Sequence, residues 1–156
     1  GNIMKKLFEG FRRFLTESEE DATLGKLLRL DPEHAASFID SLKDVYPDIE
    51  RRYVEALGVK RERLRKEGEK QDIVIARLSK ERWRINREYD QISEKDGWVA
   101  AREFFRDNMD RLNDIERKMR EASYEKARFF DDARELSKIM AKFNPEIVVP
   151  FAGIKD

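Results

Sequence analysis

The 156-residue chain contains no cysteine, a single histidine and no excess of either charge, and no apolar run approaches the roughly 18 residues that cross a membrane. Without cysteine there are no disulfides and no thiolate metal sites. His34 follows Pro32-Glu33 at the start of a helix and has no convergent ligands, so a metal or catalytic role has no support around it. The sequence has no phosphate-binding glycine loop, nucleophile elbow or kinase signature. Its acidic runs, Asp107 to Asp114 and Phe129 to Glu135, lack both the glycine-punctuated loop of an EF-hand and a Glu-x-x-His pair. A non-enzymatic protein with no cofactor and no metal is therefore the expectation. Lys plus Arg (33) equals Asp plus Glu (33), which argues against a surface given over wholly to nucleic acid or anionic lipid and leaves room for local patches. The N-terminus lacks the continuous apolar core and the small-residue cleavage site of a signal peptide, so a cytoplasmic location is expected. Met4 reads as the natural start, with residues 1–3 an addition before it.

What the chain does have is charge and heptads. Charged residues make up 42% and hydrophobic ones 40%, the signature of long solvated helices and not of disorder. Forward from a turn-like "SEKDG" at Ser93 to Gly97, Trp98, Phe105, Leu112, Met119, Lys126, Ala133 and Met140 fall seven apart. Ala101, Asn108, Ile115, Ala122, Phe129, Leu136 and Phe143 form a second row offset by three. Two such rows sustained over about six heptads are a coiled-coil seam. Backward from the turn, Ile92, Ile85, Leu78, Gln71, Leu64 and Leu57 repeat the spacing, with Tyr89, Val74 and Tyr53 in the second row. A short turn between helices of matching length folds them into an antiparallel hairpin with arms at 48–94 and 97–144, each on the order of 65 to 70 Å long. Residues equidistant from the turn then pair: Ile92 with Trp98, Ile85 with Phe105, Leu78 with Leu112, Gln71 with Met119 and Leu57 with Ala133. The same rule sets Lys126 beside Leu64 and leaves Phe129 and Phe130 short of apolar partners. Gly58 and Gly68 weaken this part of the first arm by roughly 1 kcal/mol each.

The first 46 residues read as shorter helices packed against the hairpin. Ile3, Met4, Leu7, Phe8, Phe11, Phe14 and Leu15 share one face of a first helix that should end near Thr16 to Ser18, where Thr16 or Ser18 could cap the next. Asp31 as N-cap with Pro32 at the first helical position starts another, ended by Tyr46-Pro47-Asp48. The expectation is an all-α chain, a single helical domain over 1–144, followed at 145–156 by an extended C-terminal tail. The apolar strip of that tail includes Val148 and Phe151. Candidate contact residues for a protein partner, self-association first, are Phe8, Phe11, Phe14, Phe129, Phe130, Val148 and Phe151. The first helix suits a core lid over Phe129 and Phe130 better than an interfacial membrane helix, because the hairpin needs covering. Nucleic acid is the alternative partner. Its candidates are Lys60, Arg61, Arg63, Arg65 and Lys66 as the best basic patch, and the stretch "RLSKERWRINRE", Arg77 to Glu88, with Trp83, as the next.

The segment "MKKLFEGFRRFLTE", Met4 to Glu17, resembles the start of many short, mostly uncharacterised proteins of large tailed phages, especially those infecting marine bacteria. The resemblance implies a virion assembly or head protein, in the host cytoplasm or the virion. In that group some head-interior proteins are cut after a Leu-x-Glu or Ile-x-Glu triplet, a pattern that Leu15-Thr16-Glu17, Leu7-Phe8-Glu9 and Ile92-Ser93-Glu94 would match. A long helical hairpin is compatible with a scaffolding protein and with the central helices of a terminase small subunit. The sequence thus reads as a coiled-coil interaction or assembly protein, with a nucleic-acid-binding accessory protein as the second reading.

Overall fold

The structure, a computed structural model, describes the backbone of residues 2–146 and the side chains of residues 2–7 and 19–146. The described residues form four helices: α1 (Asn2–Arg29), α2 (Pro32–Leu42), α3 (Ile49–Asp96) and α4 (Trp98–Phe143). The all-α class and the long antiparallel hairpin expected from the heptads are both present, with α3 and α4 as the arms and α1 and α2 as the shorter N-terminal helices. The tail read for 145–156 lies, from residue 147 onward, outside the described residues.

The turn of the hairpin comes down to one residue. Gly97 has φ +88°, a left-handed conformation that favours glycine, and its amide donates to the Ser93 carbonyl at 3.2 Å. The Gly97 carbonyl in turn accepts from the Ala101 amide at 3.2 Å, so the same residue closes α3 and opens α4.

The N-terminal third departs from expectation. No helix end occurs near Thr16 to Ser18; α1 runs unbroken for 28 residues. The physical reason is that Thr16 and Ser18 are weak capping signals without a proline or glycine stop beside them, and Glu17, Glu19, Glu20, Ala22 and Leu24 are compatible with helix. Gly25, inside the helix, does not break it either. The chain leaves α1 only at Leu30, after Lys26 and Arg29 in its last turn complement the helix dipole. It re-enters helix at Pro32. The Asp31 side chain caps α2, accepting from the His34 amide at 3.0 Å and making a second, short contact with His34 Nδ1.

Packing divides the chain into two units, one of residues 1–61 with 134–156 and one of residues 62–133. In the first unit α1, α2, the start of α3 and the end of α4 contribute a core that includes Leu27, Ala35, Ile39, Ile49, Tyr53 and Met140. Tyr53 meets Phe143 edge-on with ring centroids 5.4 Å apart, a favourable aromatic geometry. Burial pushes the Tyr53 phenol above its ordinary pKa. Arg52 on α3 reaches two carboxylates of α1, Glu20 at 3.4 Å and Asp21, and Lys43 joins Glu50 at 2.7 Å across the α2–α3 connection. Ser137 is fully buried, and its hydroxyl accepts from the Arg61 guanidinium at 3.2 Å.

In the second unit the two arms pack directly. Leu78, Ala101, Leu112, Ile115 and Ala122 are buried. The row containing Ala101, Asn108, Ile115, Ala122 and Phe129 is buried or half-buried at every position. Asn108 sits in it without a cross-arm bond, because its amide nitrogen donates back to the Phe104 carbonyl at 2.9 Å. The register, however, is displaced from the one that equal spacing predicts. Tyr89 meets the Phe105 ring at 6.0 Å, one turn beyond Ile85. Lys126 pairs with Asp72 at 2.6 Å, two turns along α3 from the expected Leu64. Gly68 supplies the reason for the far end of this shift. A Cβ there would lie 3.0 Å from the Phe130 ring, so the bare backbone forms the slot the ring occupies. A pattern of equal heptads on both arms cannot show which turn of one lies against which turn of the other; a glycine opposite a phenylalanine decides it.

Candidate functional site

Phe129 and Phe130 are half-buried by their own hairpin. The Phe130 ring lies on Gly68 with the Lys126 ammonium 5.9 Å from its centroid, and the Arg128 guanidinium stands 5.5 Å from the Phe129 ring. The arm therefore supplies cover that the sequence appeared to lack. The side chains of Phe8, Phe11 and Phe14 lie outside the described residues, as do Val148 and Phe151.

The proposed basic candidates do not form one free patch. Lys60, Arg63 and Lys66 are exposed, but Arg61 is spent on Ser137 and Arg65 lies 3.5 Å from Glu62. Trp83, in contrast, is 57% exposed, with the Arg87 guanidinium 5.0 Å from its ring centroid.

Two further surfaces in the second unit are exposed, the first not assigned from sequence and the second within the basic stretch that contains Trp83. The first is on α4 beside the turn. Trp98, Arg102, Phe105 and Met109, spaced four, three and four, line one face of the first three turns, and Trp98 is 67% exposed. Trp98 and Phe105 belong to a heptad row that is buried further along, at Leu112. Near the turn the opposite arm ends in "DQISEK", which offers only Ile92 as an apolar partner. The signal available in the sequence was Met109, a large apolar residue outside both rows.

The second surface is on α3. Arg77, Lys80, Arg84 and Arg87 are spaced three, four and three, all exposed, with Trp83 beside them. Leu78, pointing the other way, is buried in the hairpin. Among the described residues, Arg77, Lys80 and Arg84 have no salt-bridge partner. The acid within this stretch, Glu81, is taken by Arg111 of the opposite arm at 2.5 Å.

In the middle of α4 a cluster of charges is paired within the helix. Arg111, Arg117 and Lys118 surround Asp114 at 2.7 to 3.1 Å, and the bonds from Lys118 and Arg117 hold its carboxyl below the usual carboxylate range. Pairs this exposed add little to stability, because water and salt screen them, and serve mainly to occupy charge. Between α1 and α2 in the first unit, Leu27, Leu30, Phe38 and Leu42 line an open apolar cleft of about 530 Å³. His34 lies on the exposed capping turn with Asp31, and no group of three or more His, Asp or Glu side chains among the described residues converges on a cation position. No described helix is long and apolar enough to cross a membrane. No protein-family model matches this chain, and no curated protein and no solved structure matches it.

Proposed function

We propose that the protein is a helical interaction module that self-associates through the exposed face of α4 next to the hairpin turn. The observation that carries this reading is the row Trp98, Phe105 and Met109, an apolar stripe at coiled-coil spacing left open where α3 offers it little apolar surface. Three large side chains in line along about three turns of helix are what a facing helix fills with its own.

A second copy is the occupant this face suits. In a twofold pairing the same patch meets itself with helix directions reversed, so residues before the centre of the stripe oppose residues after it. Centred on the stripe, that reversal sets Trp98 of each copy against Met109 of the other, apolar side chain against apolar side chain.

Light scattering across a dilution series tests the reading, with a dimer expected at the concentrated end. The variant Trp98→Glu with Met109→Glu should be monomeric throughout with its helicity retained, since both positions are exposed, whereas Phe105 is used across the hairpin by Tyr89. A monomer at every concentration, or a dimer indifferent to these substitutions, would refute it. In an assembly protein of the kind suggested by the N-terminal resemblance, this contact would be the one that joins copies.

A further inference from the structure

We infer that the outer face of α3 between Arg77 and Arg87 binds single-stranded nucleic acid, with Trp83 as the stacking platform and Arg77, Lys80, Arg84 and Arg87 as the phosphate contacts. The stretch "RLSKERWRINR" has five basic residues and one acidic one in a chain whose net charge is zero. Its helical geometry sorts them. Leu78 turns into the hairpin, Glu81 is bound to Arg111, Arg82 is half-buried on another side of the helix, and the four exposed cations that remain on the outer face extend over about 15 Å. Glu88 and Asp90 border this face and are not paired with it.

Trp83 distinguishes this surface from an ordinary solvated one. An indole 57% exposed on the outer face of a charged helix contributes nothing to the hairpin core, and the Arg87 guanidinium beside it at 5.0 Å is held in place by the ring. A flat ring flanked by unpaired cations at successive turns meets the two needs of a flexible polyanion with aromatic bases: a face to stack on and charges to follow the backbone. A duplex keeps its bases stacked inside and would use the cations alone. An acidic peptide would satisfy the cations and leave the indole with no planar partner. The inference is independent of self-association, since α4 supplies that stripe.

The test is fluorescence anisotropy with a labelled oligothymidylate, using the full chain. Binding is expected to weaken with salt at a log–log slope of about −3, the value for roughly four phosphate contacts to a single strand. Trp83→Ala should weaken it roughly tenfold while Trp83→Tyr restores most of it, because stacking asks for an aromatic face and not for indole in particular. Lys80→Glu with Arg84→Glu should abolish binding, with circular dichroism confirming that the helices persist. The inference is overturned by absence of binding in low salt or by an affinity indifferent to Trp83→Ala. It is equally overturned if duplex DNA of the same length, or polyglutamate, competes as well as the single strand.

Discussion

Gly68→Ala should fail to stabilise this protein, although alanine is the better helix former by about 1 kcal/mol at an interior position. The new Cβ would stand 3.0, 3.2 and 3.3 Å from three carbons of the Phe130 ring, closer than carbon atoms pack without displacement. The ring has to give by a few tenths of an ångström while the Lys126 ammonium lies on it and the opposite arm holds its backbone. Overpacking of this kind costs about 1–3 kcal/mol, so the net change lies between none and a loss of about 2 kcal/mol. Urea unfolding followed by circular dichroism measures it, and a double-mutant cycle isolates the cause. In a Phe130→Ala background the ring is gone, and Gly68→Ala should then gain about 1 kcal/mol, leaving a coupling of about 1–3 kcal/mol between the two positions. Gly25, where an added Cβ meets nothing within 4 Å, is the control, and Gly25→Ala should gain about 1 kcal/mol with Phe130 intact. An equal gain from Gly68→Ala with and without Phe130 would refute both the close approach and the register it sets.

Two further outcomes follow from the first unit. Ile39→Ala removes a fully buried side chain from α2 and should cost about 2–5 kcal/mol in the same unfolding assay, with the exposed Phe38→Ala on the same helix costing far less. The Asp31 carboxyl is held below the usual carboxylate range, first by the bond from the His34 amide and then by the His34 side chain. Its folded pKa being the lower one, the capping contribution is complete above the unfolded pKa and is lost as pH falls through it towards the folded value. Wild type should therefore lose more stability than Asp31→Ala on acidification, and equal acid sensitivity in the two would show that the cap carries no pH dependence.

Much of this architecture was legible without coordinates. The cap at Asp31-Pro32, the glycine turn and the row Ala101, Asn108, Ile115, Ala122 are local signals, each set by residues within a turn or two of one another, whereas α2 stops at Leu42, before the expected break at Tyr46-Pro47-Asp48. Reading failed where the signal was weak or depended on a distant partner. Thr16 and Ser18 are compatible with a helix end and equally with the interior of α1, and without proline or glycine beside them the helix continued. Arg61 looked like part of a free basic patch because nothing near it in sequence reveals that Ser137 waits 76 residues away.

The sequence by itself determined that this chain is helical, that two of its helices are long, and where they turn, because periodicity, caps and glycine act over a few residues. Only the tertiary structure decided the rest. It chose the turn of α3 that faces Phe130, since close packing tolerates no misfit at that point. It left Trp98 and Trp83 in solvent although one stood in a heptad row and the other did not, because exposure depends on what the facing helix offers at that height.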